Sequence, residues 1–594
     1  MSIKQTPTNK KINIGLLKRI LSYSKPYQKI FFSTIFITIT LSAIAIVRPL
    51  MINKMLNVIG AIDPSDKNYL PDIEKGSYIN YMGLLLLLVL FVETILQFLN
   101  INLTSLLGQN ILKDMRLQVY SHLLKLKNTY FDQTPVGTIV TRAVSDIESL
   151  SDVFSQGFIV IFGDILMLAI FISAMFYTNW LIALVSLSSI PLLFVATNLF
   201  KKGIKKTFTE VRNAVAQLNA FINEHLTGMR IIQLFNREKS EYEKFKEINE
   251  QHKKANIRSI WYYSVFFPIV EILSAVSISL LIWFAGVNSN QYEIKLGDIT
   301  FFIMMINMVF RPIRLLADRL NTLQMGVVAA ERVFKVIDTT DFIEDIGVKD
   351  TNNLSGKIEF KNVWFAYNQE DYVLKNISFM IESGKTVGII GATGAGKSSI
   401  INLISRFYEI NKGEILIDDI PIRQYQLKEL RKSVGVVLQD VFLFNDTILN
   451  NITMDNDDID EATVIEAAKE IGIHEFIMEL PNGYHYQVNE RGASLSAGQR
   501  QLVAFVRAYI YNPPIFVLDE ATSSIDLKTE KLIQKASVEI AKNRTSIIIA
   551  HRLTTVSHSD SIIVMDKGEI IEQGDFNFLK NKPESILHKL LNHA

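Results

Sequence analysis

Cysteine is absent from all 594 residues, so no disulfide, thiolate metal site or cysteine nucleophile can exist. That absence does not fix a compartment, because a membrane or cytosolic chain needs no disulfides. An excess of one charge is also missing: 61 Lys+Arg against 60 Asp+Glu leave a formal net charge of +1. Such a balance offers no broad cationic surface for nucleic acid. Proline and glycine are sparse, 14 and 28 residues, which excludes a collagen-like chain and argues against disorder. What is plentiful is apolar surface, at 49% hydrophobic residues. A chain of this length implies several domains.

The apolar residues concentrate in the first half, as six nearly uncharged runs long enough to cross a hydrocarbon layer about 30 Å thick. The first is Ile30 to Val47, closed by Arg48-Pro49, and the second starts at Tyr81 and carries Leu84 to Leu88. Phe158 to Tyr177 and Trp180 to Phe200 are separated only by Thr178-Asn179, which predicts a tight hairpin at one membrane face. Ile260 to Val287 and Ile299 to Phe310 are joined by Asn288 to Asp298, and Arg311-Pro312 closes the sixth run. Soluble core helices seldom stay uncharged over such lengths. No cleavable signal peptide is expected, since the first run is too long and lacks a small-residue cleavage site.

Lys and Arg flanking the spans set orientation. Lys4, Lys10, Lys11, Lys18, Arg19, Lys25 and Lys29 precede the first run, and Lys201, Lys202, Lys205 and Lys206 follow the fourth. Both segments are expected inside, with Asn57 to Asn80 and the hairpin turns outside, so both termini are expected in the cytoplasm. Ile14, Leu17 and Leu21 repeat at helical spacing and predict an interfacial helix within a leader of residues 1–29. The expected order is a transmembrane domain over 30–337, a linker over 338–356 and a cytosolic domain over 357–594. Two inside connections, Ile111 to Ser155 and Lys201 to Ser259, are helix-compatible throughout and predict helices extending past the membrane, joined by short cross-pieces.

The cytosolic part carries the chemistry. The strand-like run Thr386 to Ile390 leads into Gly391, Ala392, Thr393, Gly394, Ala395, Gly396, Lys397 and Ser398, a full match to the P-loop pattern, with Ser399 next. The glycines let backbone N–H groups curl around phosphate oxygens, Lys397 neutralises the β and γ phosphates, and Ser398 can ligate Mg²⁺. Ile515 to Leu518 is a buried-strand run ending in Asp519-Glu520. There Asp519 can hold Mg²⁺ through its water shell while Glu520 polarises the attacking water. A further apolar run, Ser546 to Ala550, delivers His551 to a strand end, where a donor to the γ-phosphate is useful.

Between them stands Leu495-Ser496-Ala497-Gly498-Gln499. This combination resembles the nucleotide-binding domain of ATP-binding cassette transporters, and with six preceding spans the chain resembles a half-transporter of the exporter class, the multidrug and lipid flippase group. The resemblance covers residues 14 to 594. The fold it implies is multidomain: a six-helix, all-α transmembrane domain with long cytoplasmic extensions, then an α/β P-loop domain. It implies ATP and Mg²⁺ as cofactors, with Tyr367 stacking on adenine and Gln439 touching Mg²⁺. Ser496, Gly498 and Gln499 would bind the γ-phosphate held by a second subunit, so a dimer is implied. Asp526 resembles a cross-subunit contact and Glu490 the acidic position before the signature. Phe131 to Leu150 and Glu224 to Glu238 resemble the segments that couple the domains. Two departures stand out: Ala497 where the family usually has Gly, and Leu502 where Arg is common. With Glu520 and His551 in place, a homodimer is favoured over the competent half of a heterodimer.

The function implied is ATP-driven export or flipping of amphipathic small molecules, lipids or drugs, by a multi-pass protein of a bacterial cell membrane. Importers with an exporter-like fold and an ATP-gated pore are the alternatives, separated by uptake assays and by substrate-dependent ATPase activity. Glu93, Asp164 and Glu271 lie within the spans, where polar groups are costly. They are candidates for a cavity favouring cationic or amphipathic compounds, or for hydrogen bonds between helices.

Overall fold

The computed structural model describes residues 14–61, 67–288, 291, 294–351, 354–368, 371–519, 527–550 and 556–593. The chain packs as two units, one formed by residues 1–124 and 136–339 and the other by 125–135 and 340–594.

The first unit is helical: α1 (Ile14–Ser22), α2 (Gln28–Ile44), α3 (Val47–Gly60) and α4 (Asp72–Leu123) precede α5 (Asn128–Gln133), which belongs to the second unit. Next come α6 (Val136–Thr141), α7 (Ile147–Asp152), α8 (Ile159–Thr178), α9 (Trp180–Leu187), α10 (Ile190–Thr227), α11 (Met229–Leu234), α12 (Glu238–Asn288) and α13 (Leu296–Ile337). π-helical turns at Arg142–Asp146 and Val153–Phe158 join α6, α7 and α8 into one rod. Among the described residues, six helical stretches are long and apolar enough to cross a membrane, and each contains one of the runs read from sequence. Their apolar faces need lipid: Leu84, Leu87, Leu88 and Phe91 on α4 are all exposed. The 52 residues of α4 reach about 78 Å at 1.5 Å per residue, more than twice the hydrocarbon thickness.

The hairpin expected at Thr178-Asn179 forms. Asn179 is extended, and its side-chain oxygen accepts from the N–H groups of Leu181 at 3.1 Å and Ile182 at 3.2 Å, capping α9. One other expected end does not hold. Arg48-Pro49 does not close the first span, because Pro49 sits in the first turn of α3, where its missing N–H costs nothing. The sixth apolar stretch ends at Leu315, next to Arg311-Pro312, while α13 itself continues through Pro312 to Ile337. The leader helix forms as α1, but its fully buried residue is Ile20, while Leu17 and Leu21 are half-buried. Arg19 donates twice to Asp338 at 2.7 Å and lies 4.0 Å over the Phe334 ring, fixing α1 to the end of α13.

In the second unit β1 (Ile358–Ala366), β2 (Tyr372–Ile381) and β3 (Thr386–Gly391) lead to α14 (Lys397–Ile404), β4 (Lys412–Ile417), β5 (Ile420–Pro421), α15 (Leu427–Lys432) and β6 (Val434–Val437). A helical stretch follows, α16 (Ile448–Thr453), α17 (Glu461–Glu470), α18 (His474–Met478) and α19 (Ala497–Ile510). The chain then alternates again: β7 (Ile515–Asp519), α20 (Leu527–Ala541), β8 (Thr545–Ile549), β9 (Ser561–Asp566), β10 (Glu569–Asp575), α21 (Phe576–Asn581) and α22 (Ile586–His593). One sheet is ordered β2-β1-β4-β5 and antiparallel; the other is β10-β9-β3-β8-β7-β6, parallel except at the β10 edge. β7 and β8 are buried at every position, as strands covered on both faces must be.

Candidate functional site

Strands β3, β8, β7 and β6 are neighbours and run parallel, with Ile389 beside Ile549, Ile549 beside Asp519, and Leu518 beside Val437. Their carboxyl ends therefore share one sheet edge, where open α/β sheets take ligands. Three pieces of the expected site emerge there: Gly391 to Ser399 after β3, Asp519 closing β7, and Gln439 just beyond β6. Glu520, Asp526 and His551 lie outside the described residues.

The loop after β3 turns through Gly394 and Gly396, whose φ angles of 85° and 98° would strain any residue with a side chain. Gly396 is also crowded, for an added Cβ would stand 2.7 Å from Leu374 and 3.0 Å from the Val373 carbonyl. Lys397 opens α14 and is buried, its ammonium donating to the carbonyls of Gly391 at 2.7 Å and Ala392 at 3.0 Å. Burial pushes it below the ordinary lysine range, while the Asp519 carboxylate pulls the other way. Thr393 and Ala392 are exposed on the loop, and Ala395 is buried beneath it.

Ser398 donates to Asp519 at 3.1 Å. A hydroxyl facing a carboxylate, with the exposed Gln439 amide on the adjoining strand end, is an oxygen set that fits Mg²⁺. The Tyr367 hydroxyl meets Ser399 Oγ at 3.1 Å and accepts from Asn402 at 3.1 Å, so the aromatic expected to stack on adenine is tied to α14.

Ser496 and Gln499 form a capping box on α19: Gln499 N–H donates to Ser496 Oγ at 3.2 Å, and Ser496 N–H donates to Gln499 Oε1 at 2.8 Å. Gly498 is buried in the first turn. No hydrogen bond among the described residues joins Ser496, Gly498 or Gln499 to the P-loop. Ala497 is exposed, and Leu502 is fully buried in the apolar core beneath the helical stretch.

The polar residues of the spans have partners. Asp164 pairs with Arg319, Glu271 accepts from Arg314 at 2.8 Å, and Glu93 accepts from Gln97 at 3.3 Å.

Residues 30–313 match the family described as ABC transporter transmembrane region, and residues 374–523 match the family described as ABC transporter. Over 579 residues the chain is 32% identical to the putative multidrug export ATP-binding/permease protein YgaD of Bacillus subtilis (strain 168), covering 97% of this chain and 99% of that protein. The chain belongs to the ABC transporter family. It is also 31% identical, over 94% of its length and 92% of the relative's, to an ATP-dependent lipid A-core flippase of Syntrophus aciditrophicus (strain SB). A solved bacterial Atm1-family ABC exporter with ATP bound superposes with a TM-score of 0.76 at 26% identity, over 95% of this chain and 98% of that one. This ABC protein is thus a multi-pass, exporter-type transporter whose ATPase is coupled to transport.

Sequence reasoning missed several residues around the site. Arg406 is buried with a φ of 49°, donating to Glu409 at 2.8 Å and to the Glu344 carbonyl at 2.8 Å. Tyr408 packs against Tyr367, and its hydroxyl donates to Asp132 at 2.6 Å. No local pattern reveals these, for Asp132 lies 276 residues before its partner.

Proposed function

We propose that this transporter works as a homodimer that exports or flips amphipathic small molecules, lipids or drugs across a bacterial cell membrane, with both termini in the cytoplasm. The observation that carries the reading is the shared sheet edge, where the P-loop, Asp519 and Gln439 converge. Two features support a second copy. The capped α19 presents Ser496 on its exposed N-terminus, a site for an anion. Its residues make no bond to their own P-loop among the described residues, which suits completion by a phosphate held on another subunit.

In this reading, the P-loop N–H groups and Lys397 bind the β and γ phosphates, and Tyr367 stacks on the adenine. Ser398, Asp519 and Gln439 would hold Mg²⁺, which when bound supplies charge neutralisation at the phosphates. Glu520 takes a proton from the attacking water, and His551 donates to the γ-phosphate. ATP sandwiched between P-loop and signature closes the dimer, hydrolysis releases it, and the spans alternate between inward- and outward-facing states. The relatives' names, one a multidrug export protein and one a lipid A-core flippase, support an amphipathic substrate.

The test is transport by the purified chain in proteoliposomes carrying a headgroup-labelled lipid or a hydrophobic dye. ATP-dependent movement of either from the ATP-accessible side supports export. Movement only towards the ATP-accessible side, or flux that persists without hydrolysis, would overturn it in favour of import or a gated pore.

A further inference from the structure

The turn after the P-loop helix is cross-linked by charged side chains. Arg406, 2% exposed, holds Glu409 and the Glu344 carbonyl, and Arg423 donates to the other Glu409 oxygen at 2.7 Å. Between Arg406 and Glu409 this turn carries Tyr408, whose ring centroid lies 5.0 Å from that of Tyr367 at 87° and 5.9 Å from that of Phe365 at 63°. Phe365 packs on Tyr367 at 4.7 Å. Tyr367 is therefore held at its rings by Phe365 and Tyr408 and at its hydroxyl by Ser399 and Asn402.

The hydroxyl of Tyr408 points elsewhere, donating to Asp132 on α5 at 2.6 Å. Burial, and then the Asp132 carboxylate, push this phenol well above the ordinary tyrosine range, so it remains a donor at physiological pH. Within the second unit, the segment 125–135 meets the run after α13 and the turn after α14. Lys127 and Thr129 meet Asp341 at 3.1 Å and 3.0 Å and Leu126 bridges to Phe342, while Asp132 meets Tyr408. Of these contacts, that with Tyr408 reaches the aromatic cluster around Tyr367.

We propose that Tyr408 is a positioning residue with two separable functions: its ring sets Tyr367 for the nucleotide base, and its hydroxyl, through Asp132, ties base occupancy to the seating of the segment 125–135. The inference rests on the reading of Tyr367 as the adenine-stacking residue. Linkage makes the tie reciprocal, so a nucleotide that favours one seating of the segment is itself bound more tightly in that seating.

The experiment uses the full chain in lipid nanodiscs and two readouts: equilibrium binding of ATP and of inorganic tripolyphosphate, and hydrogen exchange of residues 125–135 with and without ATP. Tyr408→Ala is expected to lose roughly three- to tenfold in ATP affinity, the scale of an aromatic pair, and nothing for tripolyphosphate, which lacks a base. Tyr408→Phe, which keeps the ring, recovers most of that affinity and lacks only the share the tie contributes. ATP changes exchange across 125–135 in the wild type; Tyr408→Phe and Asp132→Ala each abolish that response, and the double variant adds nothing further. Wild-type ATP affinity in Tyr408→Ala, or equal loss for both ligands, would overturn the ring's role. A nucleotide response that survives Tyr408→Phe and Asp132→Ala would overturn the tie. Tyr367→Ala separates the premises: if it binds ATP normally, the adenine reading fails, whereas weakened ATP binding there with normal binding in Tyr408→Ala removes only this inference.

Discussion

Ser398 and Asp519 meet at 3.1 Å although 121 residues separate them, joining the first turn of α14 to the end of a strand two positions away in the sheet. In the proposed mechanism this pair flanks Mg²⁺. Ser398→Ala and Asp519→Asn are expected to raise the Mg²⁺ concentration for half-maximal ATPase activity by roughly ten- to hundredfold, the range for losing a metal's supporting group. A Mg²⁺ titration of the purified variants checks this, and an unchanged midpoint in both removes the pair from the metal site.

Lys397 is buried against two carbonyls of its own loop, poised over the phosphate cradle. Lys397→Ala is expected to weaken ATP binding itself by roughly tenfold or more, as for a lost charged hydrogen bond. Equilibrium binding separates this from a defect confined to turnover.

The two loop glycines differ in what surrounds them. Gly394→Ala meets open space and incurs only the strain of a positive φ, about 1 kcal/mol. Gly396→Ala adds a clash with Leu374 and the Val373 carbonyl. Both variants are expected to bind ATP more weakly, and Gly396→Ala to lose more thermal stability; the reverse order in melting experiments would contradict the loop geometry.

Asp164 and Arg319 neutralise one another within the helical unit. Removing one partner strands the other, so Asp164→Ala is expected to cost about 3–5 kcal/mol of stability. The double variant with Arg319→Ala recovers much of it. Thermal unfolding in detergent measures the cycle, and additive losses would show that the pair is not coupled.

Much of this architecture is legible in the sequence because its signals are local. Uncharged runs mark the spans, and the apolar strands ending in Gly391 and Asp519 mark the sheet edge. Helix ends are less legible than span ends. Pro49 occupies a first turn, and α13 carries Pro312 within it although the sixth apolar stretch ends at Leu315. The segment Phe131 to Leu150, which resembles a coupling segment, takes in the end of α5, all of α6 and the start of α7. The partners of Asp164, Glu271 and Asp132 were invisible because tertiary packing alone brings them near.

The most direct test of the central claim is Mg-ATPase activity of this polypeptide purified alone in lipid nanodiscs, with Glu520→Gln alongside. A self-sufficient homodimer predicts Mg²⁺-dependent hydrolysis in the wild type. It also predicts a loss of roughly hundredfold or more in Glu520→Gln, the scale of a general base, with ATP still bound. Silence from well-folded wild-type protein would contradict self-sufficiency, and full-rate hydrolysis in Glu520→Gln would contradict the proposed base.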